Sequence, residues 1–416
     1  MGWTGSCGRR SPREDSKQRL GRWLWLHGLG VKDMGRYVSR YWQPRFDAPS
    51  LRHRRGGRYE AYMPDFLVGW APRLSMDVVA TAANAESAVG ALNRRALRAE
   101  PHPLDTFACM LLRVEAVASS RIEGIELSPR RLLTAEAEQR AGGRSSDRRA
   151  VEVLANIEAM EEAIRSATGG GRLRTDDLLE VHRRLMSASA RPDLGGWVRD
   201  TQNWIGASGY TPVGASFVPP PPEEVTPLLD DLMVYRRRDA APAFVPPISA
   251  VLARSRDSYI DGLAAWRHDG PADDPARNHA ADQWLHTFLE ATYDACQEAH
   301  VYLDTVSALE ADLRARAGPV RRGSSADRLL SLLPACPIFS IDTAAAAIQR
   351  STVATGQAVN NLTEARILTV RNVGKQRYRI FEAPEVTHLI THLDRELSLR
   401  GTPAAADRAG GVDLGP

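Results

Sequence analysis

The sequence predicts a mainly α-helical protein with one β-hairpin near its middle and a small mixed unit towards its C-terminus. Three observations carry this. Apolar residues recur at helical spacing along most of the chain, as in Val151, Leu154, Ile157, Met160 and Ile164. The stretch Gly195 to Pro222 instead mixes Trp, Val, Thr and Ile with many Gly and Pro, the composition of short strands and turns. Past Ala326, three short helical patterns precede two strand-like runs either side of Asn372-Val373-Gly374-Lys375. Three helices followed by a β-wing is the winged helix-turn-helix pattern.

The elements follow in order. Residues Met1 to Arg36 show no periodicity and are expected to be a disordered tail or a misassigned start. Arg52 to Tyr59 is expected to be an extended basic arm. Ser75 is placed to cap a helix over Met76 to Arg98, and a second helix over Leu104 to Ser120 carries Phe107, Leu111 and Val114 on one side. Pro129 opens a third, to Gln139, because Pro at a first turn removes no helical hydrogen bond. A fourth spans Arg148 to Ser166, and Thr175 is expected to cap a fifth through Met186. After the hairpin, helices are expected over Glu223 to Arg237, Ile248 to Trp266 and Pro275 to Arg316. Gly318 to Ser325, rich in Gly, Ser and Arg, reads as a linker. The winged unit occupies 326–399, with helices through Leu329 and Leu333, Asp342 to Ile348 and Thr352 to Ala365, and 400–416 is a second expected tail.

Composition removes several function classes. The net charge is +3, from 54 basic and 51 acidic residues, so the whole chain is no polycation, although a local basic patch is a separate matter. Cys7, Cys109, Cys296 and Cys336 form no C-x-x-C pair and are expected to be inert core thiols. No apolar run reaches the ~20 residues of a membrane-spanning helix. Trp23 to Leu29 follows basic residues, but it is short and has no cleavage site after it. The expected location is therefore cytoplasmic. There is no G-x-S-x-G, H-E-x-x-H or G-x-x-x-x-G-K-[ST] motif.

Three segments, taken in order, resemble bacterial Fic (Fido-domain) proteins that carry an N-terminal inhibitory helix and a C-terminal winged helix. Ser119-Ser120-Arg121-Ile122-Glu123-Gly124 is similar to the family's inhibitory pattern: Ser or Thr, three residues, Glu, then Gly or Asn. Gln202-Asn203-Trp204-Ile205-Gly206, continuing to Phe217-Val218-Pro219-Pro220-Pro221-Pro222, is similar to the family's flap hairpin and its exit. Ser249 to Arg254, with Tyr259-Ile260-Asp261-Gly262-Leu263, is similar to the helix that follows the Fic core. The resemblance implies an N-terminal helical region at 37–140, a Fic core at 141–317, and relatives that move AMP from ATP and Mg to hydroxyls of a protein target. It implies regulatory roles for Ser119, Glu123 and Gly124. It also implies docking of a target strand on Gln202, Asn203, Trp204, Ile205 and Gly206. For Trp204 and Ile205 an ordinary hairpin core is an equal explanation, and for Glu123 a plain surface carboxylate.

The chemistry of AMP transfer needs a base beside the attacking hydroxyl, a metal ligand and donors that cradle phosphate. The family places these in the loop His-Pro-Phe-x-Asp-Gly-Asn-Gly-Arg, and this sequence lacks that loop and any Gly-Asn dipeptide. His268-Asp269-Gly270 is the nearest imitation, but Pro271 and Ala272 follow it, so it reads as a polar turn. Family-like sequence stands in frame on both sides of Arg238 to Val245. The central helix pair is thus expected to be missing, by natural deletion or by an error in the gene assignment. With it go the base, the metal ligand and the phosphate cradle, so no catalytic residue and no metal ligand is assigned, and ATP and Mg are not expected to bind productively. Large apolar neighbours lose a packing partner as well, each worth roughly 1.5–3 kcal/mol if left exposed.

A second expectation rests on the winged unit. Between Arg350 and Glu382 six basic residues face two acidic ones, a local +4. Arg371, Lys375, Arg377 and Arg379 are candidate contacts to DNA phosphates, with the helix from Thr352 entering a groove. Many winged helices instead mediate protein contacts or self-association, and a homo-oligomer stays open. Arg254 and Arg256 are candidate phosphate contacts against a default of a solvated helix face.

Overall fold

Period-two alternation, hidden in a stretch that looks like a basic arm, builds the first sheet. In the computed structural model, which describes residues 35–44, 50–68, 72–98, 104–168, 173–207, 209–235, 244–269, 274–371 and 379–399, strand β1 (Arg36–Trp42) pairs antiparallel with β2 (Gly57–Met63). The register runs from Arg36 opposite Met63 to Trp42 opposite Gly57. Side chains alternate between half-buried and exposed along β1 and the first half of β2, as a strand with one covered face requires. The segment expected as an arm instead holds most of a single helical turn, Leu51–Arg54, and the start of β2.

Among the described residues the chain divides into two compact units. One draws on the stretch up to Pro72, Asp200–Leu232 and Ala265–Ala281, the other on Arg73–Arg199, Met233–Ala264 and the chain from Asp282. In the first unit the expected hairpin is reduced to one bridge, Ile205 opposite Phe217. The Tyr62 N–H donates to the Val218 carbonyl at 2.9 Å, and Trp42 meets the Trp204 ring edge-on with centroids 5.3 Å apart. Asp65 pairs with Arg277, while the Asp231 carboxylate accepts from the Leu67 and Val68 N–H groups.

The second unit is helical. Helix α1 (Met76–Arg98) starts where Ser75 predicts, with its Oγ accepting from the Val78 N–H at 3.3 Å. Helices α2 (Leu104–Ile122), α3 (Pro129–Arg140) and α4 (Arg148–Thr168) share a core of Leu112, Val117, Leu132, Val153 and Leu154. Helix α5 (Thr175–Met186) begins at Thr175 instead of being capped by it. Arg174 holds the cap position, and its N–H donates to Asp177 at 2.8 Å. Helix α6 (Pro222–Tyr235) belongs for the most part to the first unit, whereas α7 (Ile248–Leu252) lies in the second, separated from α8 (Arg256–Ala265) by a tight turn, Ala253–Ser255. The single helix expected over Ile248 to Trp266 is therefore two, and the break coincides with Arg254 pairing inward to Glu298. Helix α9 (Pro275–Arg316) matches its expected bounds.

The C-terminal elements are α10 (Ser325–Leu332), β3 (Ile338–Ser340), α11 (Ile341–Ile348), α12 (Thr352–Glu364), β4 (Thr369–Arg371), β5 (Ile380–Glu382) and α13 (Pro384–Leu399). The strands form an antiparallel sheet in the order β3-β5-β4. Neither β3 nor α13 is anticipated from sequence; the turn at 372–378, with Lys375 and Arg377, lies outside the described residues. Ser340 and Ser351 cap α11 and α12 by accepting from the Thr343 and Ala354 N–H groups.

These elements do not hang on a flexible linker. One core contains Leu92, Phe107, Met110 and Leu111 of the first helices, Tyr302, Leu303 and Leu313 of α9, and Leu329, Leu330, Phe339, Val359 and Phe381 of the C-terminal segment. Gly318 and Gly323 take left-handed turns between α9 and α10, and Asp327 accepts from the Gly323 N–H at 2.7 Å. Burial pushes the Cys296 thiol up to about 11 and raises that of Cys336, so both are the inert thiols their spacing predicts.

Leu330→Ala, at a fully buried position, is expected to lower stability by about 2–5 kcal/mol. Because the core is continuous, hydrogen exchange should accelerate at Met110 as much as at Phe339. Faster exchange confined to residues after Ser325 would contradict that continuity.

Candidate functional site

The Ser119 to Gly124 motif is a helix ending in its own right. Gly124 adopts φ +86°, its N–H donates to the Arg121 carbonyl, and the Ile125 N–H donates to Ser120, both at 2.9 Å. This is a Schellman stop, and it needs a glycine because an L side chain is strained there. An added Cβ would meet nothing within 4 Å, so backbone conformation alone sets the requirement. Glu123 follows the last helical residue, and its side chain is exposed. Ser119 Oγ donates to the Ala116 carbonyl and accepts from Asn156 Nδ2 at 3.1 Å, tying α2 to α4. Arg256 Nε donates to the Ile122 carbonyl at 3.0 Å, a cation on the negative end of the helix.

One and two turns earlier, α2 carries two residues that the sequence does not single out. Glu115 reaches the start of α7, accepting from the Ser249 N–H at 2.8 Å and from its Oγ at 2.5 Å. Burial raises the Glu115 carboxyl above the usual range, with the two Ser249 bonds acting against it. Arg113 is buried, with Nη2 donating to Glu136 Oε1 at 2.8 Å and to the Ala335 carbonyl at 2.6 Å. Burial disfavours its charge, yet Glu136 more than offsets this and holds the guanidinium above its ordinary value. Arg254 and Arg256, expected as phosphate contacts or a solvated face, are committed to Glu298 and to the end of α2.

In the first unit, the flap residues form a small lattice. Gln202 is buried, and its Nε2 donates to the Pro219 carbonyl at 2.9 Å. Asn203 is exposed, and Trp204 packs on Trp42. Ile205 pairs its backbone with Phe217, while its side chain is 61% exposed. Gly206 turns at φ +81°, where a Cβ would stand 2.2 Å from Ser216 Oγ. Phe217 in turn lies under the Arg267 guanidinium at 3.7 Å.

Residues 236–243, where the family-like sequence breaks, lie outside the described residues. On their far side Phe244 joins the main core at 1% exposure, its N–H donating to Asn93 Oδ1. His268 Nε2 lies 3.2 Å from Asp274 Oδ2. Of the four candidate DNA contacts, Lys375 and Arg377 lie outside the described residues. Arg379 is exposed, and Arg371 is engaged with Glu382 at 3.2 Å and Thr134 at 3.0 Å. Among the described residues no group of three or more His, Cys, Asp or Glu side chains is arranged to hold a metal ion, and no helix is long and apolar enough to cross a membrane.

Residues 79–165, which run from the first turn of α1 to the last turn of α4, match the Fic/DOC family N-terminal domain. Helices α1 to α4 are thus similar to the N-terminal region of Fic proteins. The matched Fic segment holds the Ser119 to Gly124 helix ending, Glu115 and Arg113. No curated protein matches the chain.

The Glu115 carboxyl gives this Fic region a pH signature. With the folded pKa raised, the folded state holds the proton more tightly than the unfolded chain does. This group's contribution therefore falls as pH rises from the ordinary glutamate range through the folded value. Glu115→Gln is expected to flatten the pH dependence of urea unfolding in that interval relative to the parent. An unchanged slope would show that Glu115 is not held as described.

Proposed function

We propose that this chain is a Fic-family protein in which AMP transfer from ATP to protein hydroxyls has been lost. The observation that carries this reading is in the sequence: the base, metal ligand and phosphate-binding residues of the family loop are absent together between α6 and α7. At the first described helix after the gap the residues do not suit a nucleotide phosphate. The start of α7, the first helix after the gap, has its Ser249 N–H taken by the Glu115 carboxylate, and a second negative group there would be repelled. The Glu123 side chain keeps an exposed place at the end of α2, consistent with a regulatory element that has outlived the site it regulated. The protein is expected to transfer no label from an ATP analogue to itself or to lysate proteins, and the Glu123→Gly variant should be equally silent. Strong labelling by that variant would overturn the reading.

A second reading is favoured by the C-terminal elements. The helices α10, α11 and α12 with the sheet β3-β5-β4 support a winged helix-turn-helix acting on duplex DNA, which would make the chain a cytoplasmic regulator. On this reading Arg379, exposed beside β5, contacts a phosphate. Arg379→Ala is then expected to weaken duplex binding about equally for all sequences and to reduce the slope of log K against log salt by about one. An unchanged salt slope would count against the contact.

A further inference from the structure

Helix α12 presents an outward stripe of unusual chemistry. Val353, Gly356, Gln357, Asn360 and Asn361 recur at helical spacing on the side opposite the buried Thr355, Val359 and Leu362. Val353 is 72% exposed, and the three amide side chains are exposed too. None of these amides has a hydrogen-bond partner among the described residues. The helix contains no Lys or Arg. Its one charge is Glu364, in the last position. Exposed cations sit at its two ends, Arg350 before it and Arg366 after it, with Arg379 exposed at the start of β5 and Asp342 the exposed acid of α11.

Gly356 is the second observation. Glycine is among the least favoured residues within a helix, and nothing inside the protein asks for it here. A Cβ would meet only Ile341 Cδ1, at 3.9 Å, an ordinary contact. An unneeded gap on an exposed helix face fits a surface that another molecule approaches closely.

We infer that α12 reads A·T base pairs in the DNA major groove, with Gln357 and Asn360 as the amide readers and Val353 against a thymine methyl. This deepens the DNA-binding reading above and rests on it. The chemistry favours that base choice. A carboxamide offers one donor and one acceptor, matching adenine N6 and N7, and an aliphatic side chain matches the thymine methyl. Guanine is most often read by Arg or Lys, and neither is on the helix. The exposed cations at the ends suit the phosphates on either side of the groove.

The test is selection of short duplexes with a randomised centre by the full chain at low salt, followed by anisotropy on the selected sequence. The expected result is an A·T-rich selected core. Gln357→Ala or Asn360→Ala should each weaken binding to it about tenfold while leaving binding to an unselected duplex unchanged. Gly356→Ala should raise the melting temperature by about 2–4 °C yet weaken binding. A G·C core, or a selected core bound equally by the amide variants, would overturn the inference and leave DNA binding standing. Retention of no duplex by a protein with an intact melting transition would overturn both.

Discussion

The second unit depends on one buried cation. Arg113 sits on α2 inside the Fic segment, and one of its guanidinium nitrogens, Nη2, reaches both Glu136 on α3 and the Ala335 carbonyl after α10. Its Nε and Nη1 are buried without partners, so the charge is held by those two contacts and little else. Removing one partner from a buried pair typically costs about 3–5 kcal/mol, because the other charge is left uncompensated. That asymmetry makes Arg113 a stringent constraint on how α2, α3 and the C-terminal elements pack. The surrounding bridges repeat the theme. Arg130 meets Glu382, Arg371 meets Thr134, and Arg140 reaches Cys336 Sγ.

This seam changes what the C-terminal elements mean. A basic count of +4 treats every cation between Arg350 and Glu382 as available to a ligand. Arg371 is instead spent on Glu382, which is itself buried and shared with Arg130. Among the described residues the exposed cations that remain are Arg350 and Arg366 at the ends of α12, and Arg379. Sheet β3-β5-β4 gives one side to the Fic helices and α12 keeps an open face.

The parts legible in the sequence were those encoded within a dozen or so neighbouring residues. The apolar stripe of α4 and the serine before α1 are local signals, and the structure returns both with the expected partners. The strands β1 and β2 are also local, but their period-two pattern runs through Arg40, Arg58 and four tyrosines, where charge masks amphipathicity. Strand β3 is three residues long, too short for any period to register. Glu115 and Arg113 were illegible for a different reason. Their roles are set by Ser249, Glu136 and Ala335, and no spacing rule along α2 points to partners so distant in the chain. An unusual charge in the middle of an apolar helix face was the available signal.

Two glycines separate what the fold needs from what a surface does. Gly124 is fixed by backbone geometry: at φ +86° it ends α2 and lets Ile125 turn back onto the helix. Any side chain there would be strained whatever surrounds it. Gly356 has no such excuse, since its helix accepts a Cβ with one ordinary contact and would be more stable for it. A residue that the fold requires says nothing about partners, because stability alone accounts for it. A residue that the fold would rather not have points outward. By that reasoning the glycine of the Ser119 to Gly124 motif is explained by the end of a helix, which leaves Glu123, exposed beside it, outside that account. The bare position on α12, among exposed amides, is where the structure departs from its own stability.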